Sequence, residues 1–520
     1  MNLQYYILYA VPLKSCCFSA ESSSIDIRPE MADNRRKGGG HLEEHLLSRL
    51  EALRQSDMLP MHMPGHKRNL LAPYLRALGA DLDITEIDGF DNLHAPSGIL
   101  QQAQARAARL WGAEESYFLV GGSSAGILAG LYAAANRGEE VLIARNAHKS
   151  VFHALELCGF RPHFFLPPQI PGTGLFGSVT QAQAQALLDS HPQARLLLLT
   201  SPTYEGVISD IAGIAQVCHQ HDVTLLVDEA HGAHLGLGGG FPGGAVQGGA
   251  DLVVQSLHKT LPSLTQTAIL HRSGSRVSPQ RLRHALAVFQ TSSPSYLLMA
   301  SMDSCVALLE ERPELLSAWR AHLRAFDQET RSLSHLQLLF RDRLPPQVVA
   351  YDPGKLLLRA GCPGWELSSL LRQQAHIELE MADQRYALAM TGLGDTDATL
   401  HRLAQALQAL DPALPPWEDS PPETALTLPE PVLLPGEALQ SPIEFVPQQA
   451  AIGRVSGEYV WAYPPGIPLL IPGERIHAPL PPVPLHSTYG KIPGEIAVVC
   501  QKSILDSPEF FSYTVNENLG

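Results

Sequence analysis

Residues 223–259 of this 520-residue chain decide its fold, and they read VTLLVDEAHGAHLGLGGGFPGGAVQGGADLVVQSLHK. Two apolar runs, at 223–228 and 251–256, have the length of buried strands and are separated by glycine-rich sequence. The first run ends in Asp228, and Lys259 follows shortly after the second. Because ligands gather at the carboxyl ends of parallel strands, this stretch predicts that Asp228 and Lys259 face one site.

The sequence around this stretch predicts a mostly parallel sheet. Apolar runs alternate with helical patterns over residues 100–270, which indicates a sheet covered by helices on both faces. Beyond the two runs above, we read strands at 116–120, 140–144 and 195–200. The segments just after these five strands are where chemistry is expected.

A glycine loop supplies a third part of the predicted site. Residues 121–126 read GGSSAG and precede a helical pattern, where small residues let backbone N–H groups approach an anion. Taken singly, the loop could be a tight turn, Asp228 a turn cap and Lys259 a solvated surface lysine. The order of glycine loop, aspartate and lysine on successive strand ends favours a pyridoxal-phosphate site, which needs a phosphate cradle, a partner for the ring nitrogen and a lysine for the aldehyde.

A metal site is the other interpretation of the segment after Asp228, because His231 and His234 follow it. No third and fourth ligand follow at a recognisable spacing. We therefore predict no metal.

Further motifs occur in order along the chain. They are MHMPGHK at 61–67, DNLHAPSG at 91–98, RNAHKS at 145–150, DEAH at 228–231, SLHK at 256–259, GRVS at 453–456 and YPPGIPLLIPGE at 463–474. Together they strongly resemble the ornithine/lysine/arginine decarboxylase family, in its short form without an N-terminal wing domain. The resemblance implies an α/β protein of pyridoxal-phosphate fold type I, with a mostly parallel central sheet, a small α+β domain and a C-terminal decarboxylase domain.

The resemblance implies roles for four catalytic residues. Lys259 would bind the cofactor aldehyde, and Asp228 would pair with the pyridine nitrogen and keep it protonated. His148 would stack on the ring. His258 would flank the lysine as a candidate proton donor.

Other residues would hold the cofactor by the same resemblance. Ser123, Ser124 and Ser256 would bind the phosphate, while Thr203 and His231 would lie near the phenolic oxygen of the ring.

The resemblance also implies a homodimer or a higher homo-oligomer. Thr291 or Ser292 would reach the phosphate of the neighbouring subunit, although the same turn could simply cap the helical pattern at 296–309.

Gly122 departs from the family, because members often carry a hydroxyl residue there, and the phosphate contact of that hydroxyl would be lost.

The domain organisation follows from composition and from the extent of the resemblance. We expect a smaller α+β domain from strand candidates at 355–359 and 386–390, and a linker where proline and acidic residues accumulate. The predicted segments are an extension at 1–30, an N-terminal arm at 31–65, a large domain at 66–325, a small domain at 326–410, a linker at 411–440, the C-terminal domain at 441–483 and a divergent tail at 484–520.

The substrate of the implied reaction would be a basic amino acid, with arginine slightly favoured over lysine and ornithine by the short form. Glu378, Glu380 and Asp383 are acidic candidates for its distal group, and solvated loop charges are the alternative for at least two of them. We take Glu380 and Asp383 as the substrate residues.

Three other functions compete with this interpretation: an aminotransferase, an α-oxoamine synthase and a non-catalytic regulatory relative.

Composition limits partners and compartment. Lys and Arg total 37 against 52 Asp and Glu, and no basic stretch is interleaved with aromatics, so nucleic acid is not expected. No run reaches the roughly 18 apolar residues of a membrane span. The scattered cysteines lack CxxC spacing and indicate free thiols in the cytoplasm, namely Cys16, Cys17, Cys158, Cys218, Cys305, Cys362 and Cys500.

Overall fold

The computed structural model describes residues 44–68, 73–417, 427–462, 467–480, 485–488 and 494–500. All of them belong to one compact unit that begins at Glu44. The predicted extension at 1–30, the first part of the predicted arm, Cys16 and Cys17 lie outside the described residues.

The first part of the chain alternates strands and helices, as the apolar periodicity predicts. Its strands are β1 (Glu115–Leu119), β2 (Glu140–Ala144), β3 (Arg161–Phe165), β4 (Gln169–Ile170), β5 (Leu175–Phe176), β6 (Ala194–Thr200), β7 (Val207–Ile208), β8 (Thr224–Asp228), β9 (Leu252–Ser256) and β10 (Ala268–Arg272). Its helices are α1 (Leu46–Gln55), α2 (Pro73–Ala77), α3 (Ile99–Trp111), α4 (Gly122–Ala134), α5 (Lys149–Cys158), α6 (Gln181–Ser190), α7 (Ile211–Gln220), α8 (Leu257–Thr260), α9 (Pro279–Phe289), α10 (Tyr296–Glu311) and α11 (Glu314–Glu329).

Seven of these strands form the central sheet, in the order β1-β10-β9-β8-β6-β2-β3. Strands β9, β8, β6, β2 and β3 are parallel, whereas β10 is antiparallel to both of its neighbours. The five predicted strands are confirmed to within one residue at each end. Strands β3 and β10 were not predicted.

Helix α4 lies close against the sheet because Gly126 carries no side chain. A Cβ atom at this position would lie 2.6 Å from Leu119 Cδ1 and 2.9 Å from Val254 Cγ1. Glycine here therefore sets the depth at which the helix packs, and the helix begins at the carboxyl end of β1.

The next part of the chain forms a second, antiparallel sheet in the order β11-β13-β15-β14. Its elements are β11 (Gln337–Leu338), β12 (Ala350–Tyr351), β13 (Lys355–Arg359), α12 (Gly364–Ala375), β14 (Met381–Ala382), β15 (Ala387–Met390) and α13 (Asp397–Leu410). Strand β12 pairs instead with β7, which ties this region to the large one. That pairing brings the start of β13 towards the central sheet.

The C-terminal part adds two small sheets. Its elements are α14 (Pro435–Gln440), β16 (Ile443–Pro447), α15 (Gln448–Ala451), β17 (Val460–Ala462), β18 (Ile467–Leu470), β19 (Leu485–Ser487) and β20 (Glu495–Val499). Strand β20 pairs along the whole of β16, so this unit continues beyond residue 483, where we had placed a divergent tail. The described ends of the predicted linker are also ordered, since α14 lies inside it and Asp411 is buried.

No helix in the described part of the chain combines the length and the apolar character that a membrane crossing requires. The five cysteines that the structure describes are free thiols, as predicted, and four of them are buried.

Candidate active site

The candidate site lies where three parallel strands end side by side. Strand register pairs Thr200, the last residue of β6, with Asp228, the last residue of β8. Asp228 is in turn paired with Val254 on β9, whose end leads into the short helix α8 that carries Lys259. The predicted aspartate and lysine therefore meet at one edge of the sheet.

A cavity opens at this edge. Predicted site residues and several that the sequence did not suggest share its wall, which consists of Ser123, Asn146, Ala147, His148, Thr200, Thr203, Tyr204, Glu205, Asp228, Ala230, His231 and Lys259. Within the described residues, Gly122, Ser124, Ser256 and His258 are next to this wall in sequence but do not line it.

His231 bridges two lysine amines. Its Nε2 lies 2.9 Å from Lys259 Nζ, and its Nδ1 lies 2.9 Å from the Nζ of Lys355, the first residue of β13. Burial, followed by the charges of Lys355 and Lys259, holds the pKa of His231 well below its usual value. The imidazole is therefore neutral at physiological pH.

A neutral imidazole donates one hydrogen bond and accepts one. One of the two amines must then accept a hydrogen bond from the N–H of His231, which requires that amine to be uncharged. Burial lowers the pKa of Lys259, against the opposing effect of Asp228, and lowers that of Lys355 to about 8. The arrangement thus favours one free-base lysine, which is the nucleophilic form.

Asp228 is a buried carboxylate whose ionised form needs a neighbouring cation. Its side chain accepts a hydrogen bond from the backbone N–H of Ala230 at 3.1 Å. Burial raises its pKa, and the charge of Lys259 opposes that rise. A cationic group beside Asp228 would stabilise the ionised form.

His148 is oriented by the helix that it caps. Its Nδ1 accepts a hydrogen bond from the backbone N–H of Ser150 at 3.3 Å and lies 2.9 Å from the Ser150 hydroxyl. Burial, with the charges of Lys259 and Lys149, lowers its pKa to about 4. The ring that His148 presents to the cavity is therefore neutral.

The opposite end of the cavity suits an anion. Helix α4 begins there, and the first N–H groups of a helix have no partners within it. Gly122 has a φ of 71°, and a Cβ placed on it would meet only the Gln266 carbonyl oxygen, at 3.9 Å. Ser123 lines the cavity from the first turn, and Ser124 follows it.

Three buried polar atoms at the strand ends find no hydrogen-bond partner among the residues that the structure describes: Ser256 Oγ, Thr200 Oγ1 and Asn146 Oδ1. Buried polar atoms in proteins are nearly always satisfied. Together with Asp228, Lys259 and the helix terminus, these atoms fit a polar, anionic ligand with a cationic ring nitrogen, as pyridoxal phosphate has.

The acidic candidates for substrate binding differ in their surroundings. The Tyr204 hydroxyl donates to Glu380 Oε1 at 2.7 Å, and the charge of Glu380 opposes the lowering of the pKa of Lys259 by burial. Glu378 instead pairs with Arg372 on the surface, and Asp383 accepts backbone hydrogen bonds in a turn. Glu380 is therefore hydrogen-bonded to a residue of the cavity wall.

Comparisons with known proteins identify the family. A model of the Orn/Lys/Arg decarboxylase major domain matches residues 76–333, and a model of that family's C-terminal domain matches residues 421–483. The arginine decarboxylase of Bacillus subtilis is 34% identical over 422 residues, which cover 78% of this chain and 86% of the relative. This chain belongs to the Orn/Lys/Arg decarboxylase family. The arginine decarboxylase of Halalkalibacterium halodurans is also 34% identical, over 81% of this chain and 89% of its own.

Solved decarboxylase structures share the fold. The lysine decarboxylase of Francisella novicida has a TM-score of 0.71 at 18% identity. The matched region covers 88% of this chain and 81% of the Francisella chain. The constitutive lysine decarboxylase of Escherichia coli has a TM-score of 0.71 at 20% identity. The matched region covers 88% of this chain and 82% of the Escherichia coli chain. The predicted family and fold class are confirmed.

The C-terminal domain of this decarboxylase-family chain contacts the segment that leads to His148. Arg145 Nη2 donates to Glu474 Oε2 at 2.9 Å, and both side chains are buried. Burial raises the pKa of Glu474 to about 7, and Arg145 opposes that rise. Two family motifs, RNAHKS and YPPGIPLLIPGE, therefore meet through an ion pair.

Thr291 and Ser292 lie on the surface, outside the cavity of their own chain as far as the described residues show. The Thr291 carbonyl is 2.8 Å from His94 Nε2. The contact of this turn with a neighbouring subunit stays a prediction.

His258 also lies at the edge of the site. Its Nδ1 is 2.9 Å from the carbonyl oxygen of Thr267, so Nδ1 carries the proton and Nε2 is the free base. With Nε2 unprotonated, His258 must take up a proton before it can donate one from that atom. Its role as a proton donor stays a prediction.

The sequence did not suggest Lys355, Tyr204 or Glu205. Lys355 was read only as the first residue of a strand, nearly a hundred positions after Lys259. Glu205 and Tyr204 directly follow Thr203, so the loop after β6 was the available signal.

Proposed function

We propose that this chain is a pyridoxal-phosphate-dependent decarboxylase of a basic amino acid, with arginine slightly favoured, that releases carbon dioxide and the corresponding polyamine-pathway amine. The observation that carries the proposal is the cavity in which Lys259, Asp228 and His231 converge at adjacent strand ends. The homologues named arginine decarboxylase support the choice of reaction and the preference for arginine. We place the enzyme in the cytoplasm as a homodimer or larger homo-oligomer.

Pyridoxal phosphate, when bound, would supply an electron sink for the electron pair that remains at Cα after the carboxylate leaves. Ser123, Ser124, Ser256 and the N-terminus of α4 would hold its phosphate. Loss of a hydroxyl at Gly122 leaves the backbone to make that contact.

Lys259 would bind the cofactor aldehyde as a free-base amine. Its lowered pKa and its contact with His231 both favour this uncharged form. Once a substrate amine has displaced it, Lys259 would remain beside Cα and could donate a proton there. His258 is the second candidate for that step, once its Nε2 has taken up a proton.

Asp228 would hold a proton on the ring nitrogen. A buried carboxylate beside a cationic ring nitrogen is stabilised in its ionised form, and it stabilises the cation in return. Thr203 and His231 would contact the phenolic oxygen, and the neutral ring of His148 would lie against the cofactor ring.

The acidic residues near the cavity would receive the distal cation of the substrate. Glu380 is hydrogen-bonded to the cavity residue Tyr204, and Glu205 lines the cavity itself. A guanidinium can bond a carboxylate at two points, whereas an ammonium acts as a point charge. Asp383 would act from the same region, in the turn where its side chain accepts hydrogen bonds from the backbone N–H groups of Arg385 and Tyr386.

The experiment compares carbon dioxide release from arginine, lysine and ornithine by the purified holoenzyme. Release from at least one of them, highest with arginine, is the expected result. Lys259→Ala should abolish release and the visible cofactor absorbance, and borohydride should attach the cofactor to Lys259 in the wild type. Formation of a keto acid without carbon dioxide, or labelling of another lysine, would contradict the proposal.

A further inference from the structure

Two histidines and a glutamate converge at the edge of the central sheet furthest from β1. The carboxylate of Glu140, the imidazole of His163 and the imidazole of His191 each offer one ligand atom, and these atoms lie within 4.8 Å of one another. His163 Nε2 is 3.2 Å from Glu140 Oε2, and the two imidazole rings have centroids 4.1 Å apart. This cluster takes no part in the proposed decarboxylation.

The cluster is separate from the candidate active site. Glu140 is the first residue of β2, where it pairs with Arg161 of β3 on one side and Ala194 of β6 on the other. His191 precedes β6, and His163 is the third residue of β3. None of the three lines the cavity at the carboxyl ends of the parallel strands.

The backbone beneath each ligand is fixed by hydrogen bonds. Glu140 and His163 sit in adjacent parallel strands, with His163 level with Leu142. His191 donates its N–H to the Leu187 carbonyl at 3.0 Å, and its own carbonyl accepts from Ala194 at 3.0 Å. The ligands thus come from three separate elements with little freedom to move apart.

The donor set suits a borderline transition metal. Imidazole nitrogen and carboxylate oxygen bind zinc at about 2.0–2.2 Å, and three protein ligands commonly leave a fourth position for water. Donor atoms around a tetrahedral zinc lie about 3.3 Å apart, so side-chain rotations of about 1 Å would close the observed cluster around an ion.

The ligands are also accessible. All three residues are partly exposed, which gives an ion a path from solvent.

We propose that Glu140, His163 and His191 form a binding site for a divalent transition metal, zinc in the first place, that clips the loop after α6 to the edge strand β3. A bound ion would add a cross-link at an edge whose backbone has a sheet neighbour on one side within the described chain. The site is independent of the proposed function and would raise stability by mass action.

The test is calorimetric titration of zinc into tag-free holoenzyme that has been treated with chelator. The wild type should bind about one zinc ion per chain through this set, and its thermal midpoint should rise with zinc. Magnesium, which prefers an octahedral shell of oxygen ligands, should bind far more weakly.

Three variants locate the site: His163→Gln, His191→Gln and Glu140→Gln. Each should weaken zinc binding by at least about 10-fold, because a ligand is lost. His401→Gln is the matched control, since His401 also pairs with a carboxylate, Glu329 at 2.7 Å, but no second histidine completes a metal-binding group there among the described residues. The control should bind zinc like the wild type.

The three substitutions lie in different elements, so one of them can disturb the fold without the others doing so. Any variant that keeps the wild-type circular dichroism spectrum can be used for the comparison. The proposal is overturned if the wild type binds no zinc. It is also overturned if the folded ligand variants bind as tightly as the wild type, or if His401→Gln loses as much affinity as they do.

Discussion

At the scale of single residues, His231 connects the amine that would bind the cofactor to a second, fully buried amine. Lys355 is 2% exposed, and burial lowers its pKa to about 8 against the opposing charge of Asp352. Below that pH Lys355 is mostly charged and donates to Nδ1 of His231. The imidazole then directs its Nε2–H to Lys259, which must accept it as a free base.

This contact predicts the effect of Lys355→Met. Without the neighbouring cation, Lys259 should hold its proton more tightly, so its pKa should rise and its reaction with an aldehyde should begin at higher pH. The measurement is cofactor absorbance as a function of pH when pyridoxal phosphate is added to apoenzyme. We expect the midpoint to move up by about one pH unit, which corresponds to about 1.4 kcal/mol.

Lys355→Arg is the matched control because it keeps the positive charge. It should leave the midpoint nearer to the wild-type value than Lys355→Met does. An unchanged midpoint in Lys355→Met would show that His231 does not couple the two amines.

Asp228→Asn tests the predicted partner of the ring nitrogen. A neutral amide cannot stabilise a protonated nitrogen, so we expect the variant to retain some cofactor and to lose activity by at least about 100-fold. Steady-state rates per bound cofactor are the measurement. Asp222→Asn, at an exposed aspartate, is the control, and near wild-type rates in Asp228→Asn would remove its electron-sink role.

The sequence could predict Asp228 and Lys259 because each directly follows an apolar run, and parallel strands bring their ends together. It could not predict Lys355, whose approach to His231 depends on the pairing of β12 with β7. A contact between distant parts of the chain leaves no local pattern. For Glu205 the loop after β6 was an available signal, but its hydrogen bond with the distant Tyr386 was not.

At the scale of elements, strands β2, β6, β8 and β9 could be predicted because their residues are buried on both faces and read as continuous apolar runs. Strand β3 could not, because it reads RPHFF. Pro162 is tolerated there because β3 is the edge strand, where one side of the backbone has no partner strand in the described sheet. Strand β10 was missed because it reads AILHR, in which only the first three residues are apolar.

The buried pair of Arg145 and Glu474 joins the C-terminal domain to the segment before His148. Arg145 also lies over the rings of Phe152 and Phe164, at 5.8 and 5.5 Å from their centroids. Glu474→Gln should leave a buried cation without its counterion and lower the free energy of unfolding by about 3 kcal/mol. Denaturant unfolding measures this change.

A double variant separates the pair from its members. Arg145→Met with Glu474→Gln removes both charges, so it should be less destabilised than Glu474→Gln alone. Glu430→Gln, at an exposed ion pair with Arg475, is the control and should change stability by less than about 1 kcal/mol. Equal stability of Glu474→Gln and wild type would contradict this reading of the contact.

At the scale of the whole molecule, the arm before the large domain exposes a run of apolar side chains. Met58, Leu59, Met61 and Met63 are 63%, 74%, 82% and 65% exposed in the single chain. Contiguous exposed apolar residues often mark an interface. They support the predicted homodimer, in which Thr291 or Ser292 would complete the site of the partner.

Subunit mixing tests whether the sites are shared. Lys259→Ala protein and a Thr291→Ala/Ser292→Ala variant should each be inactive or weakly active alone. In a mixed dimer, the chain that keeps Lys259 would receive Thr291 and Ser292 from the other chain, so one complete site would form. Equal mixing with free exchange should restore about a quarter of wild-type activity, because half of the dimers are mixed and each has one site. If exchange is demonstrated by mass-tagged subunits and the mixture gains no activity, each site is built within one chain, and the turn at Thr291 only leads to Ser295, whose side chain caps α10.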